Sequence, residues 1–516
     1  MSVRVRFAPS PTGLLHVGAL RDALFKHLLA KNLGGQNLLR IEDTDRTRYN
    51  PESEAEFITT LEWVGITFDE GPHLGGPHAP YRQSERKAAG IYATEIAKLL
   101  ATGHAYKAFD TTQELDEMRE FQQLNKLPIG YFGGKWRDAS PEDVAAAEAE
   151  GRPFVIRQRI PRGTKIVIDD LIRGRIEWDS DTVDDPVLIK ADGMPTYHFA
   201  SMVDDHLMGI THIMRGEEWV SSAPKHAALF DAFGWPRPIF VHCPVIVGSD
   251  GKKLSKRHGA TRVLDYAAQG FLPVALKNFI ALIGWNPGDE TEVMDEALLI
   301  EKFALSGLQP SPGKFDYEKL RWLNGQHLRR MTPAEVLAAL RVYIQTPYHR
   351  RYWENLDAED AATMRRTGPE TLAKLDQILT TADRDEPYVL AAIALELERV
   401  GTFADFGDAL DFFLVDDPAM DPKAAEKSLR AGHVPALFAA VSDGASSETT
   451  AEQYHDLVHA WAAEHGFEKI GPVVSPLRVA LSGRTSGPGL FDMMVVLGPE
   501  RIRRRLARAQ VEFPPA

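Results

Sequence analysis

From Val3 to Trp63 the sequence switches twice between the two periodicities of regular structure, and no other feature limits the possible folds as much. Val3-Arg4-Val5-Arg6-Phe7 alternates apolar and basic residues, the period of a strand, and stops at the turn-forming run Ala8-Pro9-Ser10-Pro11-Thr12-Gly13. From His16 to Ala30, Val17, Leu20, Leu24 and Leu28 recur at helical spacing, and Gly34-Gly35 closes the segment. Asn37 to Ile41 then reads as a strand and Pro51 to Trp63 as a helix. Strand, helix, strand, helix with short connections calls for parallel strands, because each crossover helix returns the chain to the same end of the sheet. The predicted class is α/β, a doubly wound parallel sheet of the Rossmann type.

The remainder departs from that pattern in two places. After the Gly/Pro/His loop Gly71–Pro80, residues 105–190 read as an inserted α+β segment with short antiparallel strands at Phe154–Ile160 and Thr164–Ile168. Tyr197–Gly216 and Ile239–Val247 read as returns to the sheet, with a helix at Ser221–Phe233 between them. From Thr332 onward the segments are amphipathic and rich in Ala, Leu and Glu, among them Pro333–Ile344, Thr371–Thr380, Tyr388–Arg399 and Glu452–His465, so the C-terminal third is expected to be all-helical. The expected domains are 1–104 with 191–260, 105–190, 261–331, 332–400 and 401–516.

Composition excludes several classes. Cys243 is the single cysteine, which rules out an intrachain disulfide framework and any zinc site built on several thiolates. No apolar run is long enough to span a bilayer, and the start lacks the apolar core of a signal peptide, so a cytoplasmic protein without membrane association is expected. With 59 Lys and Arg against 73 Asp and Glu, the net charge of −14 argues against non-specific binding to nucleic acid. Local basic stretches exist nonetheless. Gly151 to Arg175 carries Arg152, Arg157, Arg159, Arg162, Lys165, Arg173 and Arg175, and the last helix carries Arg501, Arg503, Arg504, Arg505 and Arg508. Either set could meet phosphates; the first could equally guard a sheet edge, and the second could serve a helix C-terminus.

Two segments carry candidate chemistry. In an open parallel sheet, ligands bind at the carboxyl ends of the strands, where helix N-termini favour anions. The turn from Arg6 to Leu20 is such a place: Gly13 and Gly18 leave backbone open to a ring or a phosphate, and His16 offers a donor or a helix cap. The second segment is Asp250-Gly251-Lys252-Lys253-Leu254-Ser255-Lys256-Arg257-His258-Gly259, whose cations and glycines suit a triphosphate or simply a solvated loop. Neither GxGxxG nor a Walker A pattern occurs in the chain. On the first strand, Arg4 and Arg6 share one face, with Arg6 nearer the carboxyl end.

Taken together, these segments resemble the bacterial glutamyl-tRNA synthetases of class I. The resemblance rests on Arg6-Phe7-Ala8-Pro9-Ser10-Pro11-Thr12-Gly13 with His16-Val17-Gly18, and on Lys253-Leu254-Ser255-Lys256-Arg257. It extends to Arg40-Ile41-Glu42-Asp43-Thr44-Asp45-Arg46, Tyr81-Arg82-Gln83-Ser84-Glu85-Arg86, Val203-Asp204-Asp205-His206 and Arg215-Gly216-Glu217-Glu218-Trp219, over roughly residues 3 to 325. It implies attachment of L-glutamate to the 3′ end of tRNA(Glu) through a glutamyl-adenylate, with ATP and Mg²⁺, and catalysis by His16, Lys253 and Lys256. Pro9, Thr12, Gly13, His16, Gly18, Lys253, Ser255 and Lys256 would then hold ATP. Arg6, Ser10, Glu42, Tyr197, Ser201 and Arg215 would hold glutamate, with Arg6 and Tyr197 at its side-chain carboxylate and Ser10 and Glu42 at its ammonium. Arg157, Arg159, Arg162 and Lys165 would contact the tRNA acceptor end, and the helical third would bind the anticodon. A monomer without structural zinc is expected. Ala19 and Ser201 depart from the family pattern, which has His and Asn there. The rival readings are a glutaminyl enzyme of the same class and an inactive RNA-binding paralogue; intact His16, Lys253, Lys256 and Glu42 oppose the second.

Overall fold

Strand β1 (Arg4–Phe7), helix α1 (Val17–Asn32) and strand β2 (Gln36–Leu39) form the expected βαβ unit, with β2 parallel to β1 and Arg6 opposite Leu38. Gly35 makes the return tight: a Cβ there would lie 2.3 Å from the Val3 carbonyl oxygen. The computed structural model describes residues 2–45, 47–254, 262–356, 358–364 and 366–515, with backbone alone at 359, 360 and 363. In α1 the apolar set Val17, Leu20, Leu24 and Leu28 is buried as its spacing predicts. Arg21 and Lys26 are buried too, Arg21 donating to the Pro244 and Ile283 carbonyls and Lys26 to Asp22. Helix α2 (Pro51–Val64) has a side-chain cap, Asn50 accepting from Glu52 N–H, and ends at Gly65 with φ 79°.

Helices α3 (Gln83–Ala88) and α4 (Ile91–Ala101) lead into the inserted segment. There β3 (Ala105–Ala108), β4 (Val155–Gln158) and β7 (Val187–Ile189) form an antiparallel sheet, and Tyr106, Phe109, Tyr131 and Trp136 make a small core of their own. The hairpin β5 (Lys165–Asp170) and β6 (Gly174–Asp179) belongs elsewhere. It joins the parallel sheet, β5 meeting β9 (Ile239–Cys243) at Asp170 and Phe240. On the other side of β9 lies β8 (His212–Gly216), parallel to it, and Thr211 N–H donates to the Arg4 carbonyl, which joins β1 to this group. Short strands Ile246–Val247 and Gly313–Lys314 pair in parallel as a separate two-stranded sheet.

Tyr197–Leu207, expected to return as strand, is a helix, and the chain re-enters the sheet only at β8. From Phe199 to Asp205 every residue of this helix is buried, and its polar side faces charges and not water: Ser201 accepts from Arg40, Asp204 from Arg86 and Asp205 from Arg6.

The chain forms two compact units, Met1–Val263 with Lys277–Asp316, and Leu264–Leu276 with Tyr317–Ala516. The second is all-helical. Its core includes Val336, Leu340 and Ile344 of the helix Pro333–Gln345, Leu375 and Ile378 of Gly368–Ala382, and also Leu272 and Ala275 from the earlier piece of chain. The helix Leu490–Glu512 bends at Gly498 (φ 75°), and Pro499 starts its second half, where a missing N–H costs nothing.

Candidate active site

One cavity of about 1260 Å³ opens at the carboxyl ends of β1 and β8, and the N-terminus of α1 faces it. Arg6, Pro9, Ser10, Thr12, Gly13, His16, Gly18, Glu42, Tyr197, Arg215 and Lys253 all line it. Ser201 does not: its buried Oγ accepts from Arg40 Nη2 at 3.1 Å, so its part is to seat a buried arginine rather than to meet a ligand. Ser255 and Lys256 lie outside the described residues.

His16 caps α1 and faces the cavity at once. Its Nδ1 accepts from Ala19 N–H at 3.2 Å, which assigns the proton of the neutral ring to Nε2. Burial, with the Lys253 ammonium beside it, lowers its pKa, so the ring is a neutral donor at neutral pH. Gly18 keeps that ring in place, since a Cβ there would come 3.2 Å from its Nδ1 and Cε1. Both ends of the basic loop are tied near this helix start. Lys253 bridges to Val247 and Leu254 N–H donates to Ile246, while beyond the loop Arg262 bridges to His16.

The same cavity reaches a buried group of charges through Arg6 and Glu42. Arg6 Nε donates to Asp205 Oδ1 at 2.8 Å, and Arg40 Nη1 donates to the same oxygen, also at 2.8 Å. Arg40 Nη2 also donates to Glu42 Oε1 at 2.9 Å. Burial opposes the charge on Arg6, but Asp205 outweighs it and raises the pKa. Burial pushes the Glu42 carboxyl up, against the pull of Arg40 and Arg6. The Tyr197 ring packs on Trp219, centroids 4.3 Å apart.

Arg215 is held differently. Its Nε donates to His242 Nε2 at 3.0 Å and its Nη1 to His226 Nδ1, 2.9 Å away. Beyond them, His242 Nδ1 lies 2.6 Å from Asp170 Oδ2, and His226 Nε2 lies 3.0 Å from His198 Nδ1. Burial lowers the pKa of all three histidines, that of His198 to about 4. His198 stands in a segment, Tyr197-His198, that also carries the family resemblance, whereas His226, His242 and Asp170 carry no signal in the sequence, because their contacts join residues far apart in the chain.

The sequence matches, over residues 2–322, the family described as tRNA synthetases class I (E and Q), catalytic domain, and over residues 365–510 the anticodon binding domain. Glutamate–tRNA ligase of Herpetosiphon aurantiacus is 41% identical, covering 98% of this chain and 97% of its own. The chain belongs to the glutamate–tRNA ligase family. The enzyme of Desulforamulus reducens in that family is 37% identical over 99% of this chain and all of its own. A crystal structure of a glutamate tRNA ligase from Elizabethkingia meningosepticum, in complex with its amino acid, superposes with a TM-score of 0.84 at 35% identity, covering 99% of each chain. The Rossmann-type class I catalytic domain and the helical anticodon-binding domain expected from sequence are those of the family.

The basic stretches read as RNA contacts are largely engaged within the fold. Arg157 is buried, donates to the Asp185 carbonyl and lies 3.7 Å over the Tyr131 ring, so it is a core residue and not a phosphate contact. Arg162 donates to the carbonyls of Ser180 and Val183 and to Asp185. Arg159 pairs with Asp138, and Lys165, more exposed, lies 3.7 Å from Asp179. At the C-terminus, Arg505 is buried and donates to the carbonyls of Phe412, Val415, Asp416 and Leu481, while Arg504 pairs with Asp416 and Asp417.

Proposed function

We infer that the chain attaches L-glutamate to the 3′ end of tRNA(Glu) in two steps in the cytoplasm, acting as a monomer. In the first, a glutamate α-carboxylate oxygen attacks the α-phosphorus of ATP, and pyrophosphate leaves. In the second, a ribose hydroxyl of the terminal adenosine attacks the carbonyl carbon of the adenylate, and AMP leaves. The observation that carries this reading is that one cavity is lined by two sets of groups. A neutral His16 donor at the α1 N-terminus has the Lys253 ammonium beside it, and Arg6, Arg215, Tyr197 and Glu42 form a second group, each of the charged three acting on the Tyr197 hydroxyl.

The first set suits a triphosphate. Backbone N–H groups and the His16 Nε2–H supply donors, and Lys253, with Lys256 in the same signature, supplies charge where negative charge grows on the phosphates. Pro9, Thr12, Gly13, Gly18 and Ser255 complete the nucleotide set. No nucleophile from the protein is needed, so catalysis consists of positioning and charge neutralisation. Among the described residues no group of three or more His, Cys, Asp or Glu side chains could hold a metal ion. Mg²⁺ would arrive as the ATP complex, held by phosphate oxygens and water.

In the second set, Arg6 and Tyr197 would meet the side-chain carboxylate, Ser10 and Glu42 the ammonium, and Arg215 the α-carboxylate side of glutamate. The same set supports glutamate over glutamine, since a guanidinium pairs in parallel with a carboxylate and not with an amide. Contacts to the tRNA acceptor end would fall to exposed cations of the insertion, Lys165 before Arg159 and Arg162. Adenylate formation measured with each of the twenty amino acids, with and without tRNA, tests the assignment. Activation of glutamate alone is expected, and activation of glutamine at a comparable rate would overturn it.

A further inference from the structure

Two arginines reach the cavity with different partners. Arg6 shares a carboxylate, Asp205, with Arg40, whereas Arg215 directs its Nε and Nη1 to two imidazoles and has the neutral Tyr197 hydroxyl beside it. A guanidinium only donates, so each of these rings must offer it a lone pair, and each must be neutral. That condition fixes both tautomers. His242 accepts through Nε2 and passes its Nδ1–H to Asp170; His226 accepts through Nδ1 and passes its Nε2–H to His198. The row Asp170, His242, Arg215, His226, His198 is therefore a directed chain with one cation at its centre and one carboxylate at its end. His226 and His242 are buried, at 0% and 1% exposure, and Arg215 Nη2 is buried with no hydrogen-bond partner among the described residues.

We propose that His226 and His242 are positioning residues for Arg215, holding its guanidinium as neutral acceptors so that its orientation is fixed while its charge stays available to a substrate carboxylate. A carboxylate in either place would hold the guanidinium as well but would cancel the charge that the substrate needs. Imidazole supplies direction without charge, and Asp170, one ring away, sets the His242 tautomer without touching the arginine. Burial, strengthened by the Arg215 charge itself, keeps both rings neutral. Asp170 comes from the hairpin of the inserted segment, so the insertion contributes to the amino-acid site. The proposal rests on the reading that Arg215 contacts glutamate.

Aminoacylation kinetics in the presence of tRNA separate the two. Arg215→Ala is expected to raise KM for glutamate about tenfold or more; no change would sink the reading of Arg215 itself. Given that rise, His242→Leu and His226→Leu should also raise KM for glutamate about tenfold, with KM for ATP within about twofold of the parent. His242→Gln and His226→Asn, which keep an acceptor near the lost nitrogen, should recover most of the loss. His226→Asp keeps an acceptor but adds negative charge and should be as poor as His226→Leu. Folded leucine variants with unchanged KM for glutamate, or a His226→Asp variant that binds glutamate normally, would overturn the proposal. Nitrogen NMR of the unaltered protein gives a test that needs no variant. Both rings should be singly protonated at pH 7, and a doubly protonated ring at either position would overturn the proposal.

Discussion

Arg6 shows how far a residue can be read before its partners are known. Strand alternation puts it on the face and at the end of β1 where a ligand would be read, and the structure buries it there, at 3% exposure, against Asp205. Arg6→Leu should collapse kcat/KM for glutamate while leaving the poor glutamine reaction nearly unchanged, a loss of discrimination on the order of 10⁴-fold. Arg6→Lys should recover only part, because an ammonium lacks the planar fork. Steady-state kinetics with both amino acids check this, and an intact preference for glutamate in Arg6→Leu would move the discrimination to another cation. The buried histidines give a second prediction. His198 faces Lys225, Arg215 and Asp184; His226 faces Arg215, His198, His242 and Lys225; His242 faces Asp170, Arg215 and Arg173. Their pKa values are lowered in the folded state, so the stability that they contribute is complete above the unfolded value of about 6.5 and is lost as pH falls toward the folded values. For His198 that window runs from about 6.5 down to about 4. Within that window, keeping the His198 ring neutral should cost about 1.4 kcal/mol of stability for each pH unit of fall. Denaturant unfolding across this range should show a steeper slope in the parent than in His198→Phe, and equal slopes would refute the attribution.

At the scale of elements, length and amphipathic period decided which segments were legible. Helices with one wet face, such as Pro333–Gln345 and Ala451–Glu464, fall within a residue or two of their predicted bounds. The helix Tyr197–Leu207, buried from Phe199 to Asp205, has no wet face to set it apart from a buried strand, and the hairpin β5–β6 gives no sign that it leaves the insertion for the parallel sheet. The arginine-rich last helix is a third case. Its basic face suggested RNA, yet Arg505 closes the C-terminal ends of two other helices, Asp405–Leu414 and Gly471–Ser482, by donating to their last carbonyls. Burial pulls its pKa down to about 10, well above neutrality, so the charge is kept. Arg505→Met should leave those carbonyls buried and unpaired and cost about 3 kcal/mol in the unfolding of the helical unit. An unfolding midpoint equal to the parent's in a denaturant titration would show that water replaces the guanidinium there.

At the scale of the molecule, the two units do not divide the sequence at a single point. Leu264–Leu276 belongs with the helical unit: Leu272 and Ala275 are part of its core, and Leu272 N–H donates to Asn324, whose amide donates to the Gly401 carbonyl. A fragment ending near residue 330, where the composition changes, would therefore keep the parallel sheet but leave Leu272 and Ala275 uncovered. It should melt below the full chain, aggregate more readily, and lose most tRNA-dependent charging. Calorimetry and aminoacylation of the purified fragment check both points; full charging efficiency would show that the helical unit does not read the RNA. Family resemblance also suggests that glutamate activation waits for tRNA, which would make ATP–pyrophosphate exchange depend on it. Equal exchange with and without tRNA would refute that here.

The sequence by itself determined what depends on neighbours along the chain. The βαβ start, the wet-faced helices, the His16 cap and the two signature segments follow from period, turn chemistry and motif. Only the tertiary structure decided which buried charges face one another. Arg6 meets Asp205 across 199 positions of chain and His242 meets Asp170 across 72. Neither distance leaves a trace in any window of residues. The same holds for tautomers, for the passage of Ser201 from substrate contact to support of Arg40, and for the withdrawal of Arg157 and Arg505 from the surface. Local structure is set by each segment's own backbone and side chains, whereas the charge of a buried group is set by whatever the fold brings beside it, because no solvent is there to answer for it.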